Sequence, residues 1–282
     1  MTESVEGFVT RFAPSPTGYL HRGHAFSALT AFEGAAAGGR FLLRIEDIDR
    51  TRCRPEYEAA IFEDLAWLGL GWETPVRRQS KHMDDYEAAL ERLRGRGLLY
   101  RDFRSRREAA EAAASAPHGP EAAFVGAAAP DEAERLARGE PFAWRLSISA
   151  ARSALGGAPL GFLEEGDGPK RVIAQPERGG DPVLARRDVG VAYHLAVVVD
   201  DALQGVTHVI RGRDLYEAAD MQVLLQALLD LPTPVYRHHR LLLGPDGRRF
   251  AKRDRAETLR ELRGRGVTAA ALRGELGFGP PA

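Results

Sequence analysis

The sequence predicts an α/β protein whose parallel sheet is interrupted by an inserted α+β segment, and three observations point there. First, a strand-like Phe8–Phe12 leads into a Pro/Gly turn, Ala13–Gly18. A helix then runs from near Gly23 through Phe26, Leu29 and Phe32 to Gly38-Gly39, and an apolar strand follows at Phe41–Ile45. Strand, turn, helix, strand opens a parallel sheet, which binds ligands at the carboxyl ends of its strands. Second, residues 101–186 shift toward alanine, arginine, glycine and proline, with strand-like pieces at Ala143–Ile148 and Arg171–Ala174. Third, Val191–Val199 is too apolar for an edge strand and reads as the sheet resuming after the insertion.

The remaining elements follow from periodicity. Ile61, Leu65 and Leu68 share one face of a helix over Glu56–Leu68, and Met83, Tyr86, Leu90 and Leu93 do so over Met83–Arg96. Val206–Ile210 reads as a strand and about Leu215–Leu229 as a helix, with short helices at Ala256–Arg265 and Thr268–Leu276. The expected organisation is a first half-domain over 1–100, an insertion over 101–186, a second half over 187–240, and a lysine-bearing loop with helices over 241–282.

Composition narrows the function. A formal net charge of -1 gives no global pull toward nucleic acid, so RNA contact has to come from local arginine patches. The one cysteine, Cys53, excludes an internal disulfide and a multi-cysteine zinc site. Met1–Gly7 carries no signal pattern and no apolar run approaches a bilayer span, so a cytoplasmic protein with no membrane contact is expected. Of 39 basic residues only Lys81, Lys170 and Lys252 are lysine. Where lysine persists in so arginine-rich a chain, either ammonium is required or a residue has survived by chance.

The densest chemistry lies in Arg11–His24. His21 and His24 stand three apart at a helix start, where unpaired backbone N–H groups and the macrodipole favour anions, and Gly23 lets a flat ring or phosphate come close. A bare H-x-x-H also fits two surface histidines on a turn, or half of a metal site with no third ligand. Glu46 and Arg211 end strand-like segments and fit ion pairs with neighbours such as Arg44 or Arg213.

Taken together, four ordered blocks resemble the class I aminoacyl-tRNA synthetases, in the form of the glutamyl and glutaminyl branch. They are Arg11–Gly18 with His21-Arg22-Gly23-His24, then Arg44–Asp49, then Val198–Asp201 with Thr207–Asp214, and lastly Arg249-Phe250-Ala251-Lys252-Arg253. The resemblance implies a Rossmann-like fold and activation of an amino-acid carboxylate by ATP with Mg2+. It places His21, Gly23, His24 and Lys252 at the nucleotide, with His21, His24 and Lys252 catalytic. It places Arg11, Phe12, Ala13, Pro14, Ser15, Glu46, Tyr193 and Arg211 around L-glutamate. In-line attack of a carboxylate on the α-phosphate needs no protein nucleophile, so positioning and charge stabilisation carry such a reaction. Lys252 would reach the leaving phosphates from the loop Gly244–Gly247, and Ala251 replaces the family's usual serine.

Only 30 residues follow Lys252, too few for the anticodon-binding domain of a full glutamyl-tRNA synthetase. The chain therefore resembles the shortened paralogue family that esterifies glutamate onto queuosine at the wobble base of tRNA(Asp). That resemblance implies L-glutamate, ATP and queuosine-containing tRNA(Asp) as partners, and a monomer is expected. Many members of that family carry a zinc knuckle that opens with two cysteines after a tyrosine. Here Asp102 and Arg104 follow Tyr100 at those places, so no zinc is expected. Arg101, Arg104, Arg106 and Arg107 would contact phosphates or form a solvated face. Two competing readings are a synthetase charging a tRNA 3′ end and a non-catalytic RNA-binding remnant.

Overall fold

The computed structural model describes residues 7–36, 38–104, 108, 125–186, 190–242 and 257–281. Lys252 and its loop lie outside the described residues, as do Arg106 and Arg107. The first unit is β1 (Val9–Phe12), α1 (Arg22–Ala35), β2 (Arg40–Ile45), α2 (Pro55–Trp67) and β3 (Glu73–Arg78), followed by α3 (Met83–Gly95). β1, β2 and β3 pair in parallel in that order. β4 (Leu99–Asp102), α4 (Glu132–Ala137), β5 (Ala143–Leu146), α5 (Ile148–Ala154), β6 (Gly161–Glu164), β7 (Lys170–Ile173), β8 (Val183–Arg186) and β9 (Gly190–Val191) follow. The chain then forms α6 (Tyr193–Leu203), β10 (His208–Gly212), α7 (Ala218–Leu228) and β11 (Val235–His239), and closes with α8 (Leu259–Gly264) and α9 (Ala269–Leu276).

The inserted stretch feeds two sheets. β4, β5, β8 and β9 make an antiparallel sheet, whereas β6 and β7 extend the second parallel pair in the order β10-β11-β6-β7. β1 and β10 are stitched together by Thr207, whose N–H donates to the Val9 carbonyl at 2.9 Å while its hydroxyl accepts the Val9 N–H at 2.8 Å. The parallel strands thus run β3-β2-β1-β10-β11 across the molecule. Two strand–helix–strand units diverge where β1 meets β10, which is where a doubly wound sheet opens a ligand crevice at its carboxyl edge.

The run Val191–Val199 is a helix and not the expected strand: only Gly190 and Val191 join a sheet, and Tyr193–Leu203 forms α6. Leu195 to Val199 are all buried, and a helix enclosed on every side shows no polar face to betray its period. β3, β4 and β11 lacked a signal because their sequences, ETPVRR, LYRD and VYRHH, have no clean apolar alternation. The expected strand over Ala143–Ile148 ends at Leu146, and α5 starts at Ile148 with its N-terminus capped by Ser147.

α8 and α9 belong to the core of the first unit. Leu259, Leu262, Leu272 and Leu276 pack with Leu29, Ile61 and Leu65 of α1 and α2. Thr258 and Glu261 form a reciprocal capping box at the start of α8, and Thr258 bridges back to His21. Leu262→Ala is expected to lower unfolding free energy by about 2–5 kcal/mol, as large-to-small changes at fully buried sites do; chemical denaturation of both proteins checks this.

Candidate active site

The histidines at the start of α1 occupy their own helix end. His21 is the N-cap: its Nδ1 accepts the Gly23 N–H at 3.1 Å, and His24 Nδ1 accepts the His21 N–H at 3.1 Å. This is a capping box built from two imidazoles, with ring centroids 3.8 Å apart. Because each Nδ1 accepts, each neutral ring carries its proton on Nε2 and offers a donor of the kind a phosphate oxygen takes. Gly23 is required by this arrangement: a Cβ there would lie 2.9 Å from His21 Cε1, so any side chain displaces the ring. That requirement is internal to the turn and comes before any approach by a ligand.

Arg11 leaves the end of β1 and grips Asp201 of α6 with two bonds, Nε to Oδ1 at 3.0 Å and Nη2 to Oδ2 at 3.2 Å. Arg44 of β2 is fully buried and donates to the same Asp201 at 2.7 Å and to Gln204 at 3.1 Å, with Glu46 at 3.4 Å and Asp200 at 3.6 Å. Asp200 also accepts from Arg77 Nε at 2.6 Å, Gln79 at 2.8 Å and Tyr86. Asp201, Glu46 and Asp200 raise the Arg44 pKa further although burial opposes them. Burial pushes the Glu46 carboxyl upward, against the pull of Arg44 and Arg11. The Glu46 N–H is fixed by the Pro14 carbonyl at 3.0 Å, which orients the side chain at the mouth of the cluster.

Arg211, at the end of β10, has the opposite character. It is buried and pairs with no carboxylate among the described residues. Nε donates to His238 at 3.0 Å and Nη1 to Gln222 at 2.8 Å, while Nη2 has no hydrogen-bond partner among the described residues. Burial lowers its pKa, as expected of a cation without a counter-ion. Tyr193 opens α6 beside it, and burial together with Glu46 raises the phenol's pKa.

These groups converge. Arg11, Phe12, Ala13, His21, Gly23, His24, Glu46, Tyr193 and Arg211 line one cleft of about 430 Å³ at the β1–β10 divergence. Ser15 faces an adjoining pocket of about 390 Å³ that shares Glu46 and Tyr193 with the first. Pro14 acts through the backbone of Glu46. The ion-pair reading of Glu46 holds in part, since Arg44 stands 3.4 Å away; for Arg211 it does not hold, and Arg213 instead pairs with Asp167 at 2.8 Å. Asp201, His238, Gln222 and the cleft-lining His239 received no role from the sequence, although Asp200-Asp201 sits within a recognised block, and Arg44 was named only as a neighbour of Glu46. Chain-distant polar pairing leaves no periodic trace that would have exposed them.

In the inserted stretch Asp102 is held by Arg104 at 2.8 Å and Arg145 at 2.5 Å, and Arg101 stacks 4.5 Å from the Trp144 ring centroid while pairing with Glu132. Asp102, Arg104 and Arg101 therefore serve the protein's own packing. Among the described residues no three histidine, cysteine or acidic groups cluster as a metal site, and no helix is long and apolar enough to cross a membrane.

A ligand crevice at the carboxyl edge of β1 and β10 is where a class I aminoacyl-tRNA synthetase-like ligase works, and similarity to known families assigns the chain to that class. Residues 7–277 match the family of tRNA synthetases class I (E and Q), catalytic domain, and the chain belongs to that family. Among similar proteins, the glutamyl-Q tRNA(Asp) synthetase of Rhodobacter capsulatus is 48% identical over 277 residues, covering 96% of this chain and 100% of that one. The glutamyl-Q tRNA(Asp) synthetase of Symbiobacterium thermophilum is 43% identical over 279 residues, covering 95% and 85%. A solved glutamate tRNA ligase from Elizabethkingia meningosepticum, in complex with its amino acid, superposes with TM-score 0.71 at 29% identity over 88% of this chain. The chain spans about half of that structure's length, 52%.

Asp201 joins the two arginines Arg11 and Arg44 through one carboxylate. Burial pushes its pKa up, but Arg11 and Arg44 more than offset this, so the folded value lies below the ordinary one. Its contribution to stability is complete above the unfolded-state value of about 4 and is lost as pH falls through the depressed folded value. Asp201→Asn is expected to remove about 3–5 kcal/mol of unfolding free energy at neutral pH, because it takes away the carboxylate charge that the buried Arg11 and Arg44 share. The difference from the parent protein should shrink in acid, as urea denaturation at a series of pH values will reveal.

Proposed function

We propose that the chain activates L-glutamate with ATP, without tRNA, and transfers the glutamyl group from the adenylate to queuosine at the wobble position of tRNA(Asp). The observation that carries the glutamate half is Arg211 Nη2, a buried cationic donor without a partner in the same cleft as Glu46. A dicarboxylic amino acid answers both needs: its side-chain carboxylate compensates Arg211, and its ammonium pairs with Glu46. The identity with relatives bearing the glutamyl-Q tRNA(Asp) synthetase name supports the acceptor.

In this reading a substrate carboxylate oxygen attacks the α-phosphorus, the bond to the β-phosphate oxygen breaks, and pyrophosphate leaves. The protein supplies geometry and compensation of charge. The Nε2–H groups of His21 and His24 donate to phosphate oxygens, Lys252 adds an ammonium to the leaving group, and Mg2+ arrives on the nucleotide. Arg11, held rigid by Asp201, faces the amino acid together with Phe12, Ala13 and Tyr193, while Pro14 and Ser15 shape the turn behind Glu46. The stretch 101–186 would lie along the RNA, between catalytic half-domains 1–100 and 187–240.

Glutamate-dependent ATP–pyrophosphate exchange without tRNA tests the first half-reaction. Robust exchange with glutamate and little with glutamine or aspartate is expected, with Lys252→Ala slower by about 10²-fold or more. Absence of exchange would favour a non-catalytic RNA-binding remnant. For the second half-reaction, tRNA(Asp) with queuosine should accept glutamate and queuosine-free tRNA(Asp) should not. Acceptance by unmodified tRNA(Glu) would instead favour charging of a 3′ end.

A further inference from the structure

Behind Arg211 lies a buried chain of polar groups that the reaction itself does not use. Glu164, the last residue of β6, is buried, and so is His238 of β11. Glu164 Oε1 accepts two backbone N–H groups, from Gly166 at 2.7 Å and from His238 at 3.0 Å. Its other oxygen, Oε2, meets His238 Nδ1 at 2.5 Å, and on the far side of the ring Nε2 meets Arg211 Nε at 3.0 Å. Gly166 belongs to the device: a Cβ there would lie 2.3 Å from the His238 carbonyl oxygen and 2.7 Å from Glu164 Oε1.

The proton count along this chain has one solution. A guanidinium has only donors, so His238 Nε2 must accept, and the ring proton must sit on Nδ1, pointing at Glu164. The carboxylate fixes that tautomer as an acceptor for Nδ1–H. The groups facing His238 are Glu164 from β6, Arg211 from β10, its own neighbour His239, and the rings of Tyr216 and Tyr236 at 4.9 Å and 5.9 Å. Burial and Arg211 push the imidazole below its usual pKa, despite the opposing pull of Glu164, and so keep it neutral. Burial raises the Glu164 carboxyl, but the N–H groups and ring of His238 hold it below the ordinary value.

We infer that Glu164 and His238 are positioning residues that lock Arg211 by its Nε edge, so that the partnerless Nη2 is presented to the substrate carboxylate. The inference rests on the proposed contact between Arg211 and glutamate. It adds that the affinity for glutamate depends on a tautomer set by a residue of the inserted stretch.

Glu164→Gln makes the sharpest test because it preserves shape. The two backbone N–H groups demand an oxygen at the Oε1 position, so the amide nitrogen is driven to the side facing His238 Nδ1. Nδ1 must then accept, the ring proton moves to Nε2, and it opposes the Arg211 N–H, donor against donor. Glutamate Kd by calorimetry and the KM values for glutamate and ATP in pyrophosphate exchange would be measured for the parent, Glu164→Gln, His238→Leu, His238→Gln and Arg211→Gln. Expected are glutamate Kd and KM raised about 10-fold or more in Glu164→Gln and His238→Leu, with ATP KM unchanged. His238→Gln, whose amide oxygen reaches the position of Nε2, should recover most of the loss. If Glu164→Gln fails to fold, the contrast between His238→Leu and His238→Gln decides. Glutamate binding within about twofold of the parent in Glu164→Gln and His238→Leu, with Arg211→Gln impaired, would overturn the relay and leave the role of Arg211 standing. An unimpaired Arg211→Gln would overturn both. A parallel rise in both KM values would also count against the relay, as general damage.

Discussion

The fold of this chain turns on a decision about buried charge. Arg44 sits fully enclosed among β1, β2, β3 and α6, and it is tolerable there only because Asp200 and Asp201 share its surroundings. Burying such groups costs several kcal/mol per ion, and apolar residues of like size would commonly serve stability better. What the cluster provides is position. Asp201 clamps Arg11, Arg44 reaches toward Glu46, and both residues are held at the floor of the cleft before any ligand arrives.

Against that neutralised floor, Arg211 stands out as the uncompensated charge. The two arginines of the cleft are thus unequal: Arg11 has its carboxylate within the protein, and Arg211 lacks one among the described residues. An enzyme that recognises an acidic side chain needs this asymmetry. A second internal carboxylate beside Arg211 would compete with the substrate. The imidazole pair at α1 is preorganised in the same sense, since each ring accepts a backbone N–H at Nδ1.

Much of this was legible in the sequence. The strand–turn–helix–strand opening, helices α2 and α3, and the C-terminal helices follow from apolar spacing that burial enforces. His21, His24, Glu46 and Arg211 were readable because they lie in short local blocks. The sequence misled at Val191–Val199, where the Leu195–Val199 part of α6 is an unbroken buried apolar run and mimics a buried strand. It was silent on β11, whose VYRHH buries Tyr236 and His238 for their polar contacts. It was equally silent on Glu164, Gln222 and His238, because partners 74 and 27 residues apart share no spacing rule. Supporting shells assembled from distant strands become visible only in three dimensions.

The central claim is that Arg211 is an anion site for the substrate, with no carboxylate partner among the described residues. A crystal structure of the full chain with a non-hydrolysable glutamyl-adenylate analogue tests it most directly. The account predicts the side-chain carboxylate within about 3 Å of Arg211 Nη2, the ammonium at Glu46, and the adenylate beside His21 and His24. A carboxylate bound elsewhere, with Arg211 turned to an acidic residue of the protein, would contradict it.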